Sequence, residues 1–145
     1  MSENETEKIF VSEDELIEEM KKMFLKPYLK ESDARLACVI GLYLQAADYE
    51  QQRVLKTKGL QKKLRPLIDY MDKQKLERIF SECHKVFFHI KTKTGESRVR
   101  YEKVRTEAEK LLLEITDFTS SSEKLLISFF MGFGIFGKIF RQKSK

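Results

Sequence analysis

The thirteen residues "RVLKTKGLQKKLR", from Arg53 to Arg65, carry six positive side chains and no acid. Arg53, Lys56, Lys58, Lys62, Lys63 and Arg65 surround a glycine, the composition of a turn between helices. A second basic group, Lys91, Lys93, Arg98, Arg100, Lys103 and Arg105, flanks "TKTGESR", and a third is Lys138, Arg141, Lys143 and Lys145. Cations gathered at helix–loop junctions suit a sugar–phosphate backbone, because each neutralised phosphate releases condensed counterions. The plainer reading of any charge run is a solvated helix face. The pattern leads us to expect a backbone contact centred on the first group and extended by Lys91, Lys93, Arg98 and Arg100. No alternation of aromatic and basic residues marks a base-stacking site, and nothing indicates sequence-specific base reading.

Other patterns offer less. Cys83, His84 and His89 are metal-ligand types, but zinc needs four converging ligands. On one helix the positions i, i+1 and i+6 do not share a face. They read as a core cysteine and surface or hydrogen-bonded histidines. "GFGIFGK", residues 132–138, spells G-x-G-x-x-G followed by lysine. A dinucleotide site needs those glycines after a strand, opening a helix whose free N–H groups hold phosphate. Here a capped helix start, "SSSEKLLISFF", precedes them, so they fall inside a helix. Neither histidine accompanies a nucleophile motif, and the glutamates read as solvated faces. We expect no enzyme, no cofactor and no metal.

The elements that must hold these residues are helical. With 41% hydrophobic and 35% charged residues and only two prolines, the 145-residue chain suits one helix-rich domain. Two cysteines, Cys38 and Cys83, lie in apolar helical patterns and read as buried reduced thiols. "MSENETEKIF" is polar and acidic, unlike a secretory signal. Net charge is +5, but residues 1–50 sum to −6 and residues 51–145 to +11. That asymmetry points the second part toward an anionic partner, nucleic acid or membrane.

Ser12 and Glu15 form a capping-box pair, after which Leu16, Ile17, Met20, Met23 and Phe24 share one helical face until Pro27. Ser32 or Asp33 caps the next helix, which is apolar on nearly every side from Leu36 to Leu44 and so should run through the core. Gly41 within it calls for a closely approaching backbone. Gly59 and Pro66 punctuate the basic stretch. A helix over 72–91 carries Leu76, Ile79, Phe80, Cys83, Phe87 and Ile90. Another, over roughly 98–117, turns Tyr101, Val104, Ala108, Leu111, Leu112 and Ile115 inward. Ser120 with Glu123 opens the last helix, where Gly132, Gly134 and Gly137 allow close approach, with Gly41 the candidate meeting point. Phe129, Phe130, Phe133, Phe136, Ile139 and Phe140 fill the space around them. The apolar run from Leu125 to Phe140 is sixteen residues long and contains Lys138, too short to span a bilayer. The expected fold is all-α, a bundle of five or six helices with short loops over residues 12–141, after a flexible acidic lead-in (1–11) and before a basic tail (142–145).

"ARLACVIGLYLQAADYEQQ", "LKTKGLQKKLRPLIDYMD" and "EKLLISFFMGFGIFGKIF" follow one another in an order that resembles type I-B CRISPR systems. The match is to the C-terminal helical part of the large subunit of the Cascade effector complex, a domain that is also produced as a separate small subunit. It covers roughly residues 32–141; Gln45 stands where the pattern has a second small residue. The resemblance implies a non-catalytic subunit in antiviral defence, located in a prokaryotic cytoplasm. Its partners would be the backbone and large subunits of Cascade, further copies of itself, the displaced target DNA strand and the guide RNA–DNA hybrid, with no membrane. Lys56, Lys58, Lys62, Lys63 and Arg65 are the first candidates for contact. The alternative expectation is a peripheral membrane or partner-binding protein that uses its closing apolar helix and basic tail.

Overall fold

A helix without a polar face can be stable only when other elements surround it. The segment Ser32–Glu50 (α2) meets that condition: residues 36–44 are all buried. The computed structural model describes residues 11–143, and around α2 it arranges α1 (Glu13–Phe24), α3 (Leu60–Ile68), α4 (Lys73–Thr94), α5 (Glu102–Glu114) and α6 (Ser122–Lys143). A 3-10 turn (Pro27–Leu29) joins α1 to α2, and a π-helical turn (Gln51–Leu55) extends α2. The all-α bundle is as expected, with six α-helices among the described residues. The greater part of the expected lead-in (1–10) and the last two residues of the expected tail lie outside those described. Val11, also assigned to the lead-in, is buried, and its carbonyl accepts a 2.8 Å hydrogen bond from the Tyr101 hydroxyl.

The α2–α6 contact is backbone against backbone. A Cβ on Gly41 would stand 1.9 Å from the Phe129 carbonyl oxygen, and one on Gly132 would stand 1.8 Å from that of Cys38. Only hydrogen at Cα permits this packing. Gly134 and Gly137 play no such part: a Cβ at Gly134 meets nothing within 4 Å, and at Gly137 only the Arg141 side chain. Of the expected aromatic filling, Phe129, Phe136 and Ile139 are buried, and Phe133 and Phe140 are half-buried. Phe130 instead faces outward, 49% exposed.

The starts of α1, α2 and α6 differ from the local capping signals, and the differences share one cause. Ser12 precedes α1 without a side-chain cap bond. Glu13 turns instead to α5, accepting from the backbone N–H of Lys103 and Val104. Asp33 does not cap α2. It accepts from the N–H groups of Thr119 (2.7 Å) and Ser120 (2.8 Å) and from the Ser120 hydroxyl (2.6 Å). With Ser120 so engaged, Ser121 takes over at α6, accepting from the Lys124 N–H at 3.1 Å. Burial pushes the Asp33 carboxyl up, but the hydrogen bonds from Ser120, Thr119 and Ala34 outweigh it and hold the group below the usual range. Asp48, buried on α2, receives Gln61 and Gln52 side chains at 2.9 and 3.0 Å and a Gln61 backbone bond at the start of α3. Carboxylates of the first fifty residues thus tie down the starts of helices far along the chain.

Candidate nucleic-acid interface

Several cations of the basic second part are already answered within the fold. Lys103 pairs with Asp14 (2.9 Å), Lys124 with Glu31 (2.6 Å), Lys138 with Glu19 (3.2 Å) and Lys143 with Glu15 (2.8 Å). The acidic helix α1 lies against cations of α5 and α6, so much of the charge asymmetry along the sequence is internal complementarity. Glu50, fully buried, accepts from Arg53 at 2.7 Å and Arg100 at 2.6 Å, while Arg100 also grips Glu96. Of the expected site residues, Arg53 and Arg100 therefore belong to a structural ion cluster. The hydrogen bonds from Arg100 hold the Glu96 carboxyl below its usual range.

The remaining expected residues lie in the turn after α2, on α3, and at the end of α4 and its following loop; clefts bring together Lys58 with Lys63 and Lys91 with Arg98. Lys56 has φ 58° and Gly59 φ 116°; these two left-handed residues flank Thr57 and Lys58 and throw the turn outward. A side chain at Gly59 would be strained by its backbone alone. Helix α3 then buries Leu60 and Leu64 four residues apart, which leaves Lys62 and Arg65 exposed. Gln61 bonds Gln45 and Asp48, fixing the rotation of α3 against α2. Lys63 reaches across to Glu82 on α4 at 2.7 Å, and Lys85 reaches the same carboxylate at 3.1 Å. Those bonds hold the Glu82 carboxyl below its usual range. An open cleft of about 350 Å3 lies here, with Lys58, Lys63, Lys85 and His89 on its rim.

Lys91 and Lys93 sit in the last turn of α4, which ends at Gly95 in the left-handed region, φ 73°. Arg98 lies in the following loop and shares with Lys91 a cleft of about 640 Å3. Among the described residues, Lys58, Lys62, Arg65, Lys91, Lys93 and Arg98 make no ion pair with a carboxylate. Lys85, Phe88 and His89 line these clefts with Arg105 of the second basic group, and nothing in the basic runs of the sequence singled out those three. One signal was available: Phe87 and Phe88 are adjacent, and a helix can bury only one of two neighbours on a single stripe.

Cys83 is buried while His89 is exposed, and no group of three or more His, Cys, Asp or Glu among the described residues is placed to hold a metal ion. Gly132–Lys138 lies inside α6, where the helix itself takes up the backbone N–H groups. Among the described residues no helix is long and apolar enough to cross a membrane. Comparison with protein-family models, with curated proteins and with solved structures finds no match to this chain.

Proposed function

We propose that this chain is a non-catalytic helical subunit that binds the backbone of nucleic acid through the α3–α4 face. One observation carries the reading. Six cations of the 56–65 stretch and of the end of α4 and its following loop, Lys58, Lys62, Arg65, Lys91, Lys93 and Arg98, have no carboxylate partner, whereas Lys103, Lys138 and Lys143 are held by α1. Backbone recognition needs such a surface and no base-reading element. Within this reading the sequence resemblance supplies a setting: a small subunit of a type I-B Cascade complex that steadies the displaced strand. Exchange of a DNA duplex for an RNA–DNA hybrid is close to balanced in energy, so added backbone contacts can tip it; that balance is known for a single-protein effector and extends here by analogy.

The test is fluorescence anisotropy of labelled DNA, titrated with salt, for the parent and for Lys58→Glu/Lys62→Glu/Arg65→Glu. The parent should bind more weakly as salt rises. Loss of three phosphate contacts should lower the slope of log K against log salt by about 2 on single strands. No binding at low salt, or an unchanged slope in the folded variant, would refute the site. The partner-binding alternative draws on Ile127 and Phe130, exposed neighbours at i and i+3 on α6. Its basic half is weakened, because Lys138 and Lys143 already pair with Glu19 and Glu15. Binding to anionic vesicles that disappears in Ile127→Ser/Phe130→Ser would favour it.

A further inference from the structure

Three shallow clefts meet along the outer face of α4. The first is the one beside the 56–60 turn, bordered on the α4 side by Lys85 and His89. The second, about 550 Å3, is lined by His84, Lys85, Phe88, His89 and Thr92. The third has His84 and Phe88 on one wall and Lys91, Arg98 and Arg105 on others. Lys85 and His89 are shared by the first and second, and His84 and Phe88 by the second and third. The clefts therefore form one continuous track with Phe88 near its middle.

Phe88 lies outside the buried stripe of its own helix, which runs through Ile79, Cys83, Val86, Phe87 and Ile90. The residue is 55% exposed. A lone exposed phenylalanine needs no explanation, but this one is set among cations. Lys85 and Lys91 lie three residues to either side on the same face, about 9 Å apart along the helix axis. The His84 ring stands with its centroid 6.5 Å from that of Phe88, and His84 Nδ1 is buried without a hydrogen-bond partner. The acids nearby are neutralised: Glu82 by Lys63 and Lys85, Glu102 by Arg105 at 3.5 Å.

We propose that this track takes single-stranded nucleic acid, with one base stacked on Phe88 and the flanking phosphates held by Lys58 on one side and by Lys91 and Arg98 on the other. The proposal rests on the backbone-binding reading and adds a strand preference to it. A duplex keeps its bases stacked on one another and presents no free face to the ring. An unpaired strand does, and base–aromatic stacking tolerates any sequence.

The experiment compares an oligothymidylate of about twenty nucleotides, longer than the roughly 4–16 nucleotides one such site covers, with a mixed-sequence duplex of equal length. Phe88→Ala should weaken single-strand binding roughly five- to hundred-fold. It should leave duplex binding within about two-fold and the salt slope unchanged, because no phosphate contact is removed. Phe88→Trp gives a second readout, because the chain contains no other tryptophan. Its emission should quench as oligothymidylate is added, whether or not the alanine variant folds well. If the parent binds with a steep salt dependence but Phe88→Ala binds equally well, or the tryptophan emission does not respond, stacking is overturned and the backbone reading survives. If the parent binds neither probe at low salt, both fall together.

Discussion

Replacing Gly132 by alanine puts a methyl group where the fold has a carbonyl oxygen. The new Cβ would lie 1.8 Å from the Cys38 oxygen, against 3.4 Å for ordinary contact, so something must give by about 1.6 Å. The obstacle is the main chain of the most buried helix, which cannot turn aside as a rotamer can. Overpacking typically costs about 1–3 kcal/mol and sometimes more, and a rigid backbone obstacle puts this site at about 3 kcal/mol or above. Alanine returns about 1 kcal/mol of helix propensity, leaving a net loss of at least about 2 kcal/mol. The control lies on the same helix: Gly134→Ala meets nothing within 4 Å, so it should gain up to about 1 kcal/mol. At about 2–4 °C per kcal/mol for a chain near this size, the melting points should fall by at least about 4 °C and rise by up to about 4 °C, respectively. Thermal and urea unfolding followed by far-UV circular dichroism measure both. Gly132→Ala at or above the parent, or Gly134→Ala equally destabilised, would refute the α2–α6 packing.

Other expectations follow from the buried polar groups. Asp33→Ala strips two N–H groups and a hydroxyl of their acceptor, which should cost about 3 kcal/mol at neutral pH. Because the folded Asp33 carboxyl lies below its ordinary 3.8, its contribution is complete above that value and fades as pH falls through the folded pKa. Denaturant titrations should show the parent's advantage shrinking in acid, and a pH-independent gap would contradict this. Glu50→Ala leaves Arg53 and Arg100 without the buried carboxylate they share, and should cost about 3–5 kcal/mol in urea unfolding; a loss under about 1 kcal/mol would mean the cluster is not coupled to stability. Burial pushes the Cys38 thiol up to about 12 and raises Cys83 further, so a thiol reagent at neutral pH should modify neither until denaturant is added. Rapid labelling of the native protein would count against both placements.

Helix existence and the central position of α2 were legible in the sequence, because a 3.6-residue repeat and an all-round apolar run depend only on neighbours in the chain. The Gly41–Gly132 contact was half legible: glycine within an apolar helix signals close approach, but Gly132, Gly134 and Gly137 look alike until the helix is rotated against its partner. The caps were legible only where they are local, as at Asp72, which accepts from the Lys75 N–H. Glu13, Asp33 and Asp48 serve helix starts or loops that lie ninety, eighty-six and thirteen residues away, whereas capping rules look three residues ahead. The same blindness affected the charge reading. Runs of one sign look like an offer to an outside partner, yet Asp14, Glu15, Glu19 and Glu50 meet Lys103, Lys143, Lys138 and Arg100 inside one molecule. Arg53 and Arg100 left the candidate site for this reason, and the α3–α4 cations stayed.

The pairing of α2 with α6 also orders events during synthesis. Among the described residues, 36–47 include the most buried stretch, and the helix whose backbone they pack against, at Phe129 and Gly132, begins at Ser122. A ribosome adding about 5–20 residues per second needs roughly 4–16 s to cross the intervening stretch of about eighty residues. Throughout that interval an apolar helix waits for its principal partner, and the α4 and α5 contacts that form earlier can cover only part of it. The growing chain is thus most prone to sticking to other chains before α6 is made. Burial becomes complete only when residues near 139 have left the exit tunnel.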